Sequence, residues 1–491
     1  MKRYLSLLCF VAATFSHLSA QTVEFIEPRN VQGVPEADFF TYKVGDYFYV
    51  LQKKYRMMAP VSFDLQLDAY DANRKPIGSN IIDKSLEMGD ANIYEGIFPL
   101  KDRLVMFKSE FSKATGAKMS YIYYYPFDVN GRRQKKTQLS SFMAESAMNS
   151  GNFSVNTSPD GTKVAVISEL PFDKEGMEKC IVTVFDDQFK QLWKKEYTFA
   201  YESTRAPKNS IFVNNNGTVF ILKQINIKKG FDQFSVFNFA SDGKTVTEKK
   251  IELGNSFTVS SYKELFTTSG DLQLAGYYYN DKKVGINVET PDGIFFLQVS
   301  ASNGDLLASK INPNVVGTVK ATQLLAMPDN TFCLVGERQL VGSTPIPGKP
   351  LEYSYNYSGQ NFYLTNLSSD GTSRWTYKFD RDLKSAGDGA RNLGIYAWVN
   401  GGDVNLLFTD YLNRHDDKKR FVEFGSNRAN VIQTIGTDGK MKNETLIEDP
   451  RIGGKKGEYL FLPATGSTYR NNKIFMLATR GLELVGATVS Y

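Results

Sequence analysis

The segment Ser158-Pro159-Asp160-Gly161-Thr162-Lys163-Val164-Ala165-Val166 is a polar turn followed at once by an apolar run. Asp-Gly suits a tight turn because glycine adopts positive φ at little cost, and the Val-rich run is typical of a buried strand. This pairing of a turn with a stiff apolar run occurs eight times. The eight turns are Gly45-Asp46, Lys101-Asp102, Asp160-Gly161, Asn216-Gly217, Gly270-Asp271, Asp329-Asn330, Gly402-Asp403 and Asn471-Asn472. Their spacing of roughly 55 to 70 residues indicates a structural unit that repeats along the chain.

The composition is that of a large β-rich protein. The chain has 491 residues, of which 42% are hydrophobic and 13% aromatic, so it can bury a sizeable core. Segments between turns run for about 5 to 8 residues and are rich in Val, Ile, Tyr and Phe, which predicts strands. Only Met143–Met148 and Asp382–Ala386 look locally helical.

A second series of turns interleaves with the first. These turns are Asn73-Arg74, Asn130-Gly131, Gln188-Phe189, Asp242-Gly243, Asn303-Gly304, Asp370-Gly371 and Asp438-Gly439. Each repeat therefore contains four strands, named a to d in chain order, with the first series joining a to b and the second joining c to d. Strand b is apolar on both faces, as an inner strand should be, and strand d is polar, as an outer edge should be. Such four-stranded antiparallel units, repeated radially, predict an all-β propeller.

The two series differ in number, which predicts how the ring closes. There are eight a–b turns but seven c–d turns, so the last unit lacks its fourth strand. Val23–Ile26 has no unit of its own and is the natural strand to complete the last blade, since closure removes the exposed edges of an open array. We predict one domain over residues 21–491, an eight-bladed propeller, with seven blades as the alternative.

The N-terminus predicts export. Lys2 and Arg3 precede an apolar stretch, Leu5–Phe15, and Ser19-Ala20 supplies small residues before Gln21, so residues 1–20 match a secretory signal peptide. A lipoprotein cleaved at Cys9 is the alternative. We therefore expect an exported protein of the periplasm, the outer membrane or the cell surface.

Charge and hydropathy exclude two classes of partner. Loss of the two leader cations lowers the net charge from +5 to +3, which is too small and too dispersed to favour nucleic acid. No later segment approaches about 18 unbroken apolar residues, so we expect no transmembrane segment in the mature chain.

Three resemblances to known families support a propeller. Ser158–Val166 resembles the repeat of TolB-type, WD40-like propellers. Asp186–Glu196 and Ser369–Tyr377 resemble the outer-strand repeat of PQQ-type eight-bladed propellers, a likeness which implies that Trp193 and Trp375 dock against the neighbouring blade. Ser368–Trp375 is similar to the Asp-box of sialidases, although Thr372 stands where that family has Gly, and the Asp-box is a structural motif.

No catalytic constellation stands out. The mature chain has a single His, His415, in a polar run that predicts a solvated loop, and there is no Gly-x-Ser-x-Gly elbow. We expect no metal site and no cofactor. Cys180 and Cys333 are expected to be buried free thiols, with one disulfide as the alternative. Carboxylate chemistry stays open because Asp and Glu are plentiful.

Loop length is the most suggestive functional feature. The b–c connections of the sixth and seventh units, Glu337–Gln360 and Tyr411–Asn430, are long, and all b–c loops of a propeller emerge on one face. Aromatic and Arg side chains are enriched at recognition hot spots. The candidate binding residues are Arg338, Tyr353, Tyr355, Tyr357, Tyr411, Arg414 and His415. The alternative is that the three tyrosines at 353, 355 and 357 form one face of an extended strand c.

These patterns favour a non-catalytic, exported propeller that binds an envelope protein or glycan, or acts as a scaffold. The alternative is a carboxylate-based glycoside hydrolase or lyase built on the same ring.

Overall fold

The structure is a computed structural model that describes residues 22–25, 29–30, 37–56, 59–83, 92–113, 117–205, 207–226, 232–251, 258–280, 291–313, 319–346, 353–386, 390, 392–415, 428–447, 459–469, 473–480 and 483–491. The predicted signal peptide, Ile26 and the Asn471-Asn472 turn lie outside these ranges. Within them the protein is built from β-strands, and its one helical element is a 3-10 turn at Leu412–Arg414. No helix in this part of the chain is long and apolar enough to cross a membrane.

Two short strands precede the first blade, β1 (Thr22–Phe25) and β2 (Arg29–Asn30). Blade one contains β3 (Ala37–Val44), β4 (Tyr47–Arg56), β5 (Ala59–Tyr70) and β6 (Pro76–Asp83). Blade two contains β7 (Asn92–Pro99), β8 (Leu104–Ser112), β9 (Met119–Pro126) and β10 (Thr137–Met143). Blade three contains β11 (Asn152–Thr157), β12 (Lys163–Glu169), β13 (Met177–Asp186) and β14 (Gln191–Glu202). Blade four contains β15 (Lys208–Val213), β16 (Val219–Asn226), β17 (Asp232–Phe239) and β18 (Val246–Ile251).

Blade five contains β19 (Thr258–Phe266), β20 (Leu272–Tyr279), β21 (Gly293–Val299) and β22 (Leu306–Pro313). Blade six contains β23 (Lys320–Ala326), β24 (Phe332–Pro345), β25 (Tyr353–Leu367) and β26 (Ser373–Phe379), with a fifth strand, β27 (Leu383–Ala386). Blade seven contains β28 (Ile395–Asn400), β29 (Asp403–Tyr411), β30 (Arg428–Ile435) and β31 (Met441–Ile447). Blade eight contains β32 (Leu460–Tyr469), β33 (Lys473–Arg480) and β34 (Glu483–Ser490).

Eight separate antiparallel sheets confirm the eight-bladed propeller and exclude the seven-bladed alternative. Within each of the first seven blades the hydrogen-bonded order is a-b-c-d, as the two series of turns predict. The helical prediction for Asp382–Ala386 is wrong, because Leu383–Ala386 is strand β27 and pairs with β25. The prediction for Met143–Met148 is also wrong, since Met143 ends β10 and turns follow it.

The N-terminal strand completes the last blade. β1 pairs antiparallel with β34, from Thr22 opposite Ser490 to Phe25 opposite Ala487. The sheet order is therefore β32, β33, β34 and β1, with β1 in position d. The predicted closing strand, Val23–Ile26, is confirmed for residues 23 to 25. This pairing joins the first strand of the chain to the last, so unfolding of either terminus exposes a sheet edge.

Strand b of each blade lies between two layers of apolar side chains. In β12 and β16, for example, the central Val, Ile and Phe side chains are fully buried. Each apolar cluster joins two neighbouring blades, and the one between blades eight and one includes Phe48, Leu462 and Phe475. The rings of Phe48 and Phe475 lie 4.8 Å apart. The ring of blades therefore closes by apolar packing as well as by β1.

Both cysteines of the described chain are free and buried, as predicted. Cys180 lies in β13 and Cys333 in β24. Burial raises the pKa of Cys333 to about 12 and also raises the pKa of Cys180, so neither thiol ionises at neutral pH.

Every c–d turn contains one residue with positive φ. These residues are Arg74, Gly131, Phe189, Gly243, Gly304, Gly371 and Gly439. Two of the glycines receive a Trp from the preceding blade. A Cβ atom at Gly243 would lie 2.7 Å from the ring of Trp193, and one at Gly439 would lie 2.7 Å from the ring of Trp375. The indole N–H of Trp375 also donates to the Thr437 carbonyl at 2.9 Å. The resemblance to PQQ-type repeats implies that a Trp of one blade docks against the next blade. Trp193 and Trp375 both make this contact.

We predict that Gly439→Ala destabilises the fold more than Gly401→Ala. Both glycines have positive φ, at 78° and 60°, so a Cβ costs each about 1–2 kcal/mol of backbone energy. Only at Gly439 does the Cβ also meet the Trp375 ring, whereas nothing lies within 4 Å at Gly401, so overpacking adds about 1–3 kcal/mol there. Urea unfolding measures both values, and equal losses would show that the Trp contact is unimportant.

Phe25→Ala is expected to weaken the closing strand. The Phe25 ring stacks on Phe461 at 6.1 Å and lies 5.9 Å from Tyr459, and because it is partly exposed we expect a loss of about 1–2 kcal/mol. Glu24→Gln is the matched control, since Glu24 is exposed and makes only a 3.4 Å surface ion pair with Arg74. A Phe25 variant as stable as the control would mean that β1 contributes little to closure.

Candidate ligand-binding site

The long b–c connection predicted for blade six is mostly a projecting β-hairpin. Within the blade, β24 pairs with β23 only as far as Glu337. Beyond it, β24 and β25 continue to pair from Gln339 opposite Gly359 to Pro345 opposite Tyr353. β27 then adds a third strand to the hairpin. The loop interpretation of Glu337–Gln360 is therefore wrong, and the alternative of an extended strand c holds, because the backbone groups of this segment are satisfied by cross-strand hydrogen bonds.

The hairpin presents two different faces. Directly opposed residues of an antiparallel pair point to the same side. Tyr357 therefore shares a face with Val341, and Tyr355 shares it with Ser343. Val341 is 64% exposed and Tyr355 is 40% exposed, so this face offers apolar surface to a partner. Tyr353 belongs to β25 opposite Pro345, and its side chain lies outside the described residues.

Arg381 anchors the base of the hairpin. Its side chain is fully buried, and its Nη2 lies 2.5 Å from Glu337 Oε1. The guanidinium also donates to the Leu393 and Thr409 carbonyls, and it lies within about 6 Å of the rings of Phe362 and Phe408. Arg381 thus ties β24 to blade seven, and breaking such a buried pair typically costs about 3–5 kcal/mol.

The prediction from sequence that His415 lies in a solvated loop is wrong, because its side chain lies in a buried charge cluster. Its side chain is 3% exposed, Nδ1 lies 2.8 Å from Glu444 and Nε2 lies 3.1 Å from the buried Asp410. Burial works against protonation, yet hydrogen bonds to Asp410 and Glu444 outweigh it and raise the pKa of His415 to about 9. At neutral pH His415 is therefore a cation between two carboxylates, a structural role that holds the start of the blade-seven b–c loop.

Blades six and seven meet around β27. Arg414 Nη1 donates to the Asp380 carbonyl at 3.0 Å. The backbone N–H of Lys384 donates to the Tyr411 hydroxyl at 3.4 Å, and Arg428 donates to the Lys384 carbonyl. The described ends of the blade-seven connection, residues 411–415 and 428, therefore lie beside β27, which pairs with the blade-six hairpin. We call this surface, formed by residues 338–345, 353–360, 383–386, 411–415 and 428, the six–seven rim.

A cavity of about 520 Å³ opens in this rim. It is lined by Leu340, Gly342, Asn356, Tyr357, Ser358, Lys384, Ser385 and Arg428. This volume falls in the usual range of small-molecule sites, about 300–1,000 Å³. The Ser385 hydroxyl is buried and has no hydrogen-bond partner among the described atoms. The cavity therefore combines a binding volume with a polar group that a ligand could satisfy.

The structure distributes the predicted residues unevenly over the rim. Tyr357 lines the cavity, whereas Tyr411 and Arg414 make hydrogen bonds with the backbone of Lys384 and Asp380. Tyr355 faces outward from the hairpin, and His415 lies in the core beneath. Arg338 lies at the base of the hairpin with its Nε buried and without a partner in the described part of the chain, and it does not line the cavity.

Of the residues described in the cavity wall, sequence reasoning identified only Tyr357. It missed Leu340, Gly342 and five polar residues, Asn356, Ser358, Lys384, Ser385 and Arg428. Their signal in the sequence is weak, because β27 has only four residues and pairs with β25, from which β26 separates it along the chain. The polar strand pattern at Asn356 and Ser358, alternating with tyrosines, was the one cue that could have identified this wall.

Two buried carboxylates of blade three, Glu169 and Glu178, are engaged in contacts with blade four. Glu178 binds Lys223 at 2.6 Å, and both side chains are nearly fully buried. Glu169 is 5% exposed and accepts from Asn209 at 2.7 Å. Burial raises the pKa of Glu95 to about 7, against a hydrogen bond from Ser109 and with a further contribution from Glu169. Glu169 and Glu178 therefore offer no accessible pair of carboxylates to a substrate.

No metal centre is present in the described ranges. No group of three or more His, Cys, Asp or Glu side chains there is placed to hold an ion. In particular, the two carboxylates beside His415 bind its ring nitrogens.

Comparisons with known proteins give structural neighbours only. No family model and no curated protein matches the chain. A protein of unknown function from Bacteroides caccae has 14% identity and a TM-score of 0.30, over 64% of this chain and 90% of its own. The WD40 domain of SCAP from fission yeast has 11% identity and a TM-score of 0.38, over 97% and 96% of the two chains.

A third neighbour is the β-propeller domain of the Trilobed protease from Pyrococcus furiosus. It has 12% identity and a TM-score of 0.30, over 69% of this chain and 97% of its own. Scores this low carry no argument about function, and the propeller assignment rests on the sheet topology of the chain itself.

The His415 cluster predicts a specific pH dependence of stability. Because its folded pKa is raised, its contribution is fully present below the unfolded value of about 6.5 and is lost as pH rises through about 9. Wild type should therefore exceed His415→Gln by about 1–3 kcal/mol near pH 6, and the gap should shrink by about pH 10. Urea unfolding across this range measures it. Lys440→Gln, at an exposed surface pair, is the control, and a pH-independent gap for His415→Gln would contradict the charged cluster.

Proposed function

We propose that this chain is an exported, non-catalytic β-propeller of a bacterial cell envelope that binds a protein or glycan partner at the six–seven rim. The observation that carries the proposal is the projecting three-stranded hairpin, with exposed Val341 and Tyr355 on one face and a cavity beside it. Recognition sites are commonly carried by segments that extend from a rigid scaffold. Export is supported by the leader-like residues 1–20.

Rigidity of the rim supports binding as its role. A preorganised surface loses little conformational entropy when a partner docks. The Arg381–Glu337 pair at 2.5 Å fixes the base of the hairpin. The hydrogen bond from Arg414 to the Asp380 carbonyl fixes the segment between β26 and β27. Residues 338–345, which extend from this base, are exposed or half-buried, and a binding role accounts for that arrangement.

The burial of Glu169 and Glu178 weighs against hydrolysis at this cluster of blade three. Glycoside hydrolases need two carboxylates on either side of the scissile bond. Glu169 and Glu178 are each 5% exposed and bonded to neighbouring side chains. The hydrolase alternative therefore has no observation in its favour at this cluster.

The double substitution Val341→Ser and Tyr355→Ser is expected to reduce partner recovery about tenfold, because exposed aromatic and aliphatic anchors carry interface energy. The measurement is quantitative affinity capture from a native envelope fraction. Since both side chains are exposed, thermal stability should not change.

The matched control carries Leu192→Ser and Leu307→Ser, two exposed leucines, 46% and 54% exposed, on outer strands of blades three and five. It should retain its partners. Loss of the partners by the control with retention by the rim variant would overturn the assignment of the site.

A further inference from the structure

We propose that the cavity of the six–seven rim binds an acidic oligosaccharide through a carboxylate held by Lys384 and Arg428. This inference deepens the proposed function and rests on it. The charge of the lining residues favours an anionic ligand over a neutral sugar.

Among the described residues, the lining carries positive charge only. Lys384 and Arg428 come from different blades, and the other six residues described in the lining are uncharged. The Lys384 side chain is 71% exposed, and its ammonium nitrogen lies 3.8 Å from the Asp382 carboxylate. The guanidinium of Arg428 makes one hydrogen bond, to the Lys384 carbonyl, among the contacts described for it. Both side chains therefore have N–H donors that could bind an anion in the cavity.

A carboxylate suits these side-chain donors. Arg and Lys bind carboxylates and phosphates alike, and many phosphate sites add several free backbone N–H groups at a helix start or a nest. Here the wall is made of strand residues, with Ser358 paired to Leu340 and to Lys384 across the sheet. Side chains must therefore do the binding, and a guanidinium fork with an ammonium group matches a carboxylate.

The remaining lining matches a hydroxyl-rich ligand. Asn356, Ser358 and Ser385 supply amide and hydroxyl groups, Tyr357 supplies an aromatic ring, and Leu340 is the one aliphatic side chain. The Ser385 hydroxyl is buried and has no hydrogen-bond partner among the described atoms, so a ligand that reached it would supply the missing hydrogen bond.

Gly342 keeps the cavity open. A Cβ at this position would meet only the Asn356 carbonyl oxygen, at 3.9 Å. The hairpin wall therefore has free space at its centre, where a sugar ring could lie against the strand backbone.

The test is binding of the full-length mature protein to an array of uronic-acid and sialic-acid oligosaccharides, each beside its methyl ester. We expect retention of acidic members and loss of their esters. Titration calorimetry with galacturonate tetramer then gives dissociation constants. Lys384→Gln and Arg428→Gln should each weaken binding about tenfold, Ser385→Ala about threefold, and added salt should weaken it further.

Two controls separate binding from folding. Arg374→Gln removes a cation from the same blade at its opposite end, where Arg374 pairs with Asp329 at 3.1 Å, and should leave affinity unchanged. Ser385→Ala should not lower the melting temperature, because the hydroxyl has no partner to lose in the described structure. If Arg428→Gln unfolds the rim, Lys384→Gln still tests the charge, since its side chain is exposed.

The outcomes distinguish this inference from the proposed function. Equal retention of acids and esters, or no acidic sugar bound at about 1 mM, overturns the acidic-ligand inference. If a protein partner is still captured and is lost with the Val341 and Tyr355 substitutions, the six–seven rim remains the site. If neither sugar nor partner depends on the rim, both proposals fail.

Discussion

Burial of strand b on both faces is the constraint on which this architecture depends. A strand such as β12 or β16 presents Val, Ile and Phe on either side, so a single blade would leave apolar surface in water. Each blade is therefore stable only between two neighbours, and the first and last must cover each other. The Phe48–Phe475 contact provides that cover, and β1 supplies the missing strand d of the last blade.

A closed ring also allows parts of the chain to leave the core without loss of the fold. The hairpin of blade six extends beyond Glu337, the last residue of β24 that pairs with β23. Its base is fixed by the buried Arg381–Glu337 pair. On the neighbouring blade, His415 between Asp410 and Glu444 fixes the start of the next connection. The first cluster therefore anchors the hairpin of blade six, and the second fixes residues 410–415 of blade seven.

Local patterns predicted the ring, but not the strand pairing and the buried contacts from which the six–seven rim is built. Turn residues with positive φ and apolar runs are short-range signals, so eight blades, seven c–d turns and the closing strand followed from position and count. The prolines and tyrosines around residue 345 suggested a loop. The structure instead pairs residues 339–345 with 353–359, and single residues do not encode such a pairing register. β27 has four residues of weak strand propensity and forms through pairing with β25. His415 is buried by partners 5 and 29 residues away, which a polar sequence run cannot reveal.

Hydrogen exchange with and without bound ligand tests the central claim, recognition at the six–seven rim, most directly. The ligand would be the acidic oligosaccharide retained most strongly on the array. We expect slower amide exchange in residues 338–345, 353–360 and 383–386, with the c–d turns of the opposite face unchanged. Protection confined to blades two to four, or to the c–d turns, with the rim unchanged would contradict the account.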